Sequence, residues 1–469
     1  MKALLLRTAD QLRESYWFLP TIMAVGALLL ALMMIYIDSH FGSEWMDGLP
    51  WLYAARPDGA RSLLSSIGGS MIGVAGTTFS VTIAAVVYAS GQYGPRLLSN
   101  FMSDRGNQVT LGTFIATFLY SMIVLRTIRS PGESGADAAA FVPQLALLVA
   151  VILVLCSIAV LIFFIHHVPM RIHINSVIEQ VGERLIAEID NRFPLFLGKP
   201  LEEALDDPRI PPAFRPDASV NAHDRRAAVR SKGTGYIQLI DEDGLIRTAA
   251  KHDLVIRLQY LSGDFVHNGS VLVEAWPAEQ VDEDVAKTLR GAFAIGSRRT
   301  ALQDLRFLID ELVEIAARAL SPGVNDPFTA NSCLDWLGAA LSDLARRDLP
   351  SRLRADDDDA LRVIAHPMTF AGFIDRAFGA LAQYASADMI AGNRFLGVIG
   401  DVALSCDDPG RIVPLKAQVE AFRVLASGSL MGANLFAVQN RADQLLRALA
   451  EPDYQRRLRD SPAWLGGTA

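Results

Sequence analysis

Four stretches of the chain, residues 19–37, 63–89, 108–125 and 144–165, contain no Asp, Glu, Lys or Arg. A helix of about 20 mostly apolar residues is what crosses the hydrocarbon core of a bilayer. Four such runs, so close together, are hard to solvate as buried helices of a large soluble protein. The mean hydropathy of +0.26 is also high for a soluble chain of 469 residues. Tyr16, Trp17 and Phe18 precede the first run, Trp51 and Tyr53 precede the second, and Tyr93 follows it. Aromatic rings collect at such depths because they are at home in the headgroup region. Lys2, Arg7 and Arg13 lie ahead of the first run, which lacks a small-residue cleavage site and reads as a retained span rather than a signal peptide.

The basic residues set an orientation. Lys2, Arg7, Arg13, Arg96, Arg105 and Arg171 fall on one side, and Arg56, Arg61 and Arg129 on the other, with Arg126 at a span boundary. The excess marks the cytosolic side and predicts both termini in the cytosol. The outer loops are then residues 38–62 and 126–143.

The second span is rich in Gly, Ser and Thr. Gly69, Gly73, Gly76 and Ser80 recur at helical spacing on one face; Ser66 joins it, Ser70 and Thr77 widen it, and Thr78 points away. Two readings fit such a stripe. Small residues let helices pack closely, with hydroxyls bonding across the interface. Alternatively, hydroxyls and bare backbone line a pathway through the membrane. Both place this face against protein rather than lipid. Proton relays, voltage sensors and ion-coupled carriers hold ionisable residues at membrane depth, and these spans hold none.

Residues 1–170 carry nine basic and nine acidic residues, leaving 34 basic and 42 acidic for the remainder. An acidic remainder argues against a nucleic-acid partner, which requires clustered positive charge. Cys156, Cys333 and Cys406 are far apart in sequence and form no CxxC pair, consistent with a reducing compartment. After the fourth span a helical pattern continues through Val177, Val181, Leu185 and Ile189 to Pro194, and a proline-rich linker follows. A β segment is expected over residues 233–276. In it Leu254, Ile256, Leu258 and Tyr260 alternate with polar-facing neighbours, and Asp243-Gly244 reads as a hairpin turn. Gly263, Val266 and Gly269 resemble the turn between two strands of a barrel-sandwich module, as in lipoyl-type domains. Lys251 is not at a hairpin tip, so no lipoyl or biotinyl modification is carried over.

From Val281 onward the pattern is helical, strongest at Leu302–Leu320. That helix ends at Ser321-Pro322-Gly323. Asn325 or Asp326 is placed to cap the next helix, with Pro327 in its first turn; a ligand or metal role is the alternative. Further helices are expected near residues 331–344, 356–364, 374–387, 414–426 and 437–450. The acidic run Asp356–Asp359 is expected to favour a helix N-terminus, with a divalent-cation site as the alternative. His166 and His173, seven apart, would share a helical face, but no Cys or carboxylate sits at ligand spacing beside them. No nucleophile elbow, phosphate loop, HExxH or dinucleotide fingerprint is present.

Two segments carry a family resemblance: FSVTIAAVVYASGQYGPRLLSNFMSDRGNQVTLGTFIATFLYSMIVLR (79–126) and RTALQDLRFLIDELVEIAARALSPGVNDPFTA (299–330), joined by the segment from Gly235-Tyr236-Ile237. With them the chain resembles the bacterial membrane proteins grouped as domain of unknown function 2254. The resemblance implies a four-span membrane protein and brings no activity, cofactor or catalytic residue with it.

The expected architecture is therefore a helical membrane domain over 1–170, a helical extension and linker over 171–217, a small β module over 218–277 and a helical cytosolic domain over 278–469. The expected function is an oligomeric ion channel or passive pore in the bacterial inner membrane, without enzymatic activity or cofactor. Its partners would be the lipid bilayer, further copies of the chain and an ion or small solute. The stripe Ser66, Gly69, Ser70, Gly73, Gly76, Thr77 and Ser80 would line or pack the pore, and Arg96 and Arg105 would form its inner mouth, unless they serve only as positive-inside anchors. A membrane-anchored sensor or scaffold, whose cytosolic part binds a partner or ligand, is the competing reading.

Overall fold

The computed structural model describes residues 15–41, 56–93, 104–130, 141–193, 199–201, 207–215 and 226–451. The chain divides into two compact units, a first that ends at residue 176 and a second that begins at residue 177.

The first unit is built from α1 (Phe18–Phe41), α2 (Pro57–Tyr93), α3 (Arg105–Thr127) and α4 (Gln144–Ile172). All four are long and apolar enough to cross a membrane. Each of the other three packs against α3, whose apolar stretch is the most buried of the four. That position explains its composition. A helix sheltered by its neighbours can carry polar side chains at membrane depth if each finds a partner. Thr117 Oγ1 and Ser157 Oγ are 3.0 Å apart, and the Tyr120 hydroxyl donates to the Ala146 carbonyl at 3.0 Å. The packing surfaces are rich in alanine, with Ala27, Ala31, Ala60, Ala116, Ala146 and Ala150 all buried. At Gly112 the approach is closest: a Cβ there would stand 2.5 Å from Met23 Sδ and 3.2 Å from Pro20 Cα.

Polar contacts tie the helix ends together. Asp38, near the end of α1, accepts from the amides of Leu145 (3.1 Å) and Ala146 (2.9 Å), satisfying the start of α4, where the preceding Pro143 offers no side-chain cap. Arg61 donates to the Ile128 carbonyl (3.0 Å) just after α3. At the opposite end of the bundle Asp104 caps α3 through the Asn107 amide and meets His167 Nε2, both at 3.0 Å. The fourth helix does not run on unbroken: His173 is extended (φ −61°, ψ 128°) and α5 (Ile174–Arg192) starts after it.

The second unit combines two sheets with a helical bundle. Its strands are β1 (Lys199–Pro200), β2 (Ala227–Arg230), β3 (Gly235–Ile240), β4 (Val255–Leu258), β5 (Phe265–Val266), β6 (Val271–Trp276), β7 (Phe293–Gly296), β8 (Leu353–Ala355) and β9 (Leu361–Ile364). One sheet has the order β1-β8-β9-β4-β6-β2, antiparallel except for β4 and β9; the other is β5-β3-β7, antiparallel throughout. Two amphipathic helices, α6 (Glu242–Lys251) and α7 (Glu283–Gly291), bury Leu245, Ala249, Val285 and Leu289 in one cluster with Ile237, Ile256, Leu258 and Val273 of the strands. The remaining helices are α8 (Leu305–Ala319), α9 (Pro327–Leu344), α10 (Phe370–Ile374), α11 (Ala380–Ala385), α12 (Met389–Leu404), α13 (Ile412–Ser429) and α14 (Gly432–Ala450), with a π-helical turn at Asp375–Gly379. Phe378, Phe395 and Phe422 form the aromatic centre of this bundle, with ring centroids 5.5 and 4.5 Å apart.

Several local expectations are corrected. Asp243-Gly244 is not a hairpin turn: Asp241 caps a helix there by accepting from the Gly244 amide, so both residues are helical. The β5 and β6 strands flank the Gly269 turn but enter different sheets, which rules out a barrel-sandwich hairpin. Residues 356–364 are not a helix. The Asp356–Asp359 run is the turn between β8 and β9, where Asp356 accepts from the Asp358 and Ala360 amides and from Arg362 Nε. The six-stranded sheet thus draws strands from both sides of residue 278.

Candidate functional site

The α2 helix has two opposite faces. Leu64, Ile67, Met71, Ala75 and Thr78 are buried against the rest of the first unit. Ser66, Gly69, Ser70, Gly73, Gly76, Thr77 and Ser80 are all exposed, and at 100° per residue their centre lies on the other side of the helix. A Cβ added at Gly69, Gly73 or Gly76 would meet nothing within 4 Å. The stripe rises about 21 Å at 1.5 Å per residue, two-thirds of a hydrocarbon core of about 30 Å. Thr77 Oγ1 donates to the Gly73 carbonyl (3.1 Å) and Ser80 Oγ to the Gly76 carbonyl (2.9 Å). These two hydroxyls are therefore satisfied along their own helix and keep oxygen lone pairs free to accept. Exposed Leu63, Ile72, Val81 and Ile83 flank the stripe on either side. Among the described residues, none supplies the protein contact expected for this face.

The two expected inner-mouth arginines fare differently. Arg105 is exposed, immediately after the capping Asp104. Arg96 lies outside the described residues. His166 and His173 do not share a helical face, because the helix ends before His173. Among the described residues no group of three His, Cys, Asp or Glu side chains could hold a metal ion.

In the second unit, the Ser321–Pro327 segment is a tight helix-to-helix connection. Ser321 Oγ donates to the Arg318 carbonyl (2.6 Å), and the Ser321 carbonyl accepts from the Asn325 amide (2.9 Å). Pro322 and Gly323 are exposed, and Asn325 takes the left-handed conformation (φ 52°). Asp326 is the cap: it accepts from the Phe328 and Thr329 amides, both at 3.2 Å, and from Thr329 Oγ1 at 2.6 Å, with Pro327 opening α9. The Thr329 hydroxyl and these amides hold the carboxyl below the usual aspartate range.

Sequence reasoning missed an ionic chain in this unit. Asp264, Arg306, Asp304, Arg299, Asp310 and Arg376 alternate in sign through contacts of 2.9, 3.0, 2.5, 2.5 and 2.6 Å. It links the turn after β4 to the approach of α8, to α8 itself and to the π-helical turn. Asp304 is fully buried between Arg299 and Arg306, the arrangement a buried carboxylate needs. Burial works against the charge on Asp310, but hydrogen bonds from Arg376 and Arg299 outweigh it and its pKa lies below the ordinary value. Gly263 sits against Asp304 at φ +91°, where a Cβ would fall 1.8 Å from Asp304 Oδ2. The signal was present in the sequence as four closely spaced charges within RTALQDLRFLID, but nothing there pointed to Asp264 or Arg376.

The comparisons with known proteins agree with one another. The chain is 31% identical over 415 residues to an uncharacterized protein of Mycobacterium bovis and, to the same extent, to one of Mycobacterium tuberculosis; the match spans 87% of this chain and 76% of each relative. No solved structure matches it. A family model described as "Predicted membrane protein (DUF2254)" matches residues 13–401, covering all four apolar helices and most of the second unit. The chain belongs to this membrane-protein family.

Proposed function

We propose that the protein is a homo-oligomeric passive pore of the bacterial inner membrane, with both termini in the cytosol. In it the exposed face of α2 from each copy turns toward a shared axis. The observation that carries this reading is the full exposure of all seven stripe residues on a helix whose opposite face is packed. In a bilayer, bare backbone and hydroxyls gain more from facing water or another helix than from facing lipid tails. One stripe is too narrow to enclose a path, so several copies are needed. A pathway lined by hydroxyl oxygens and peptide groups suits an ion or small polar solute moving down its gradient. It requires no titrating group and no catalytic residue. Arg105 stands at the cytosolic mouth, and the second unit assembles or gates the pore.

Cysteine accessibility tests it. With Cys156 replaced, Gly73→Cys and Ser80→Cys are expected to react with a membrane-impermeant thiol reagent, while Ile72→Cys and Val81→Cys on the flanks are protected. Equal protection of stripe and flank would remove the pore.

A further inference from the structure

The second unit contains a half-open cavity of ≈ 140 Å³ where the end of α5, the β3–α6 junction, the turn after β4, the approach to α8 and the 365–373 segment meet. Its walls are mainly apolar, with Phe193, Ile240, Leu258, Met368 and Phe373 among them. An apolar cavity of about this size, about 150 Å³, is large enough to take up benzene.

The polar groups on its wall are almost all committed. Gln303 is locked to Ile240, its Oε1 accepting from the amide (2.6 Å) and its Nε2 donating to the carbonyl (2.9 Å). Asp304 and Arg306 belong to the ionic chain, and Arg306 also donates to the Ser262 carbonyl. Arg192 is held by Glu188 and by the carbonyls of Ala301 and Leu302. Glu242 is different. It opens α6 and lines the cavity, yet among the described residues its carboxylate has no hydrogen bond or ion pair. Glu242 is half-buried; burial pushes its pKa up, opposed through space by Arg192 and Arg354 and reinforced by Asp243.

A carboxylate accepts and does not donate when ionised. We infer that this cavity binds a small ligand with an apolar body and a cationic nitrogen, an aryl- or alkyl-ammonium, with the nitrogen on Glu242 and the body against Phe193, Leu258 and Phe373. The site goes beyond the pore reading and stands whether the membrane unit conducts or only anchors. A ligand held there would touch five separate segments of the second unit at once.

The test uses the full chain in nanodiscs and titration calorimetry with three probes of one shape: benzylammonium, benzyl alcohol and benzoate. Benzylammonium is expected to bind more tightly than the other two. Glu242→Gln is expected to weaken benzylammonium by about tenfold or more, the scale of a charge-assisted hydrogen bond, and to leave benzyl alcohol unchanged. Met368→Trp, which fills the cavity and leaves the Glu242 charge in place, is expected to abolish both. Absence of benzylammonium binding to the wild type, tighter binding of benzoate, or equal weakening of amine and alcohol by Glu242→Gln would each overturn the assignment.

Discussion

Replacing Gly263 by alanine isolates the cost of disturbing the buried ionic chain. Two penalties act together. The residue sits at φ +91°, where an L side chain costs about 1–2 kcal/mol. Its new Cβ would fall 1.8 Å from Asp304 Oδ2, so the carboxylate must move by more than an ångström. That oxygen accepts from Arg299 Nε at 2.9 Å and Nη2 at 2.5 Å, and both bonds would be lost. Breaking a buried ion pair costs about 3–5 kcal/mol. Part of that is recovered because Arg299 keeps Asp310, so the expected total is about 4 kcal/mol. Gly269 provides the control: it has nearly the same φ, +93°, but nothing within 4 Å of an added Cβ, so Gly269→Ala should cost only the backbone strain, about 1–2 kcal/mol. Denaturant unfolding followed through Trp276 and Trp336 measures both. Equal, small losses for the two variants would refute the claim that Gly263 is required by Asp304.

In the membrane unit, Gly112→Leu would drive its side chain into Met23 and the Pro20 backbone, and should abolish the folded bundle; Gly73→Leu meets open space and should leave thermal stability of the monomeric unit unchanged or slightly raised. Size-exclusion profiles and thermal melts in detergent separate these outcomes. Acid should weaken the second unit through Asp310. Its folded pKa is depressed, so its contribution is fully present above the unfolded value near 3.8 and lost as pH falls through the folded value. Asp310→Asn should therefore flatten the loss of stability below about pH 4, as measured by denaturant midpoints between pH 3 and 7.

What the sequence made legible follows from how strongly each pattern is dictated. The four spans were readable because lipid forbids charge over a whole helix, and the structure extends them only by a few residues of cap and interface, as from 108–125 to Arg105–Thr127. The capping role of Asp326 was readable from a proline placed one residue after it. The α12 helix was missed because ten of its sixteen residues are buried, leaving a polar edge of little more than Arg394 and Asp401, too narrow to give a period. Strands β8 and β9 are three and four residues long, too short to show alternation, and their pairing with β4 and β1 is set by residues far away in sequence. Asp243-Gly244 read as a turn because the pair favours turns, but the amphipathic run Leu245–Ala249 behind it, capped by Asp241, made a helix. On α2 the stripe was legible as a face, whereas its lack of a partner among the described residues depended on how α3 and α4 pack.

Ion flux and single-channel current from the purified protein in liposomes, wild type beside Gly73→Leu, test the proposed pore most directly. The account predicts conductance in the wild type and its loss in the variant, with insertion and assembly intact in both. Conductance that survives Gly73→Leu undiminished, or no current from correctly inserted wild-type oligomers with and without an aryl-ammonium ligand, would contradict it.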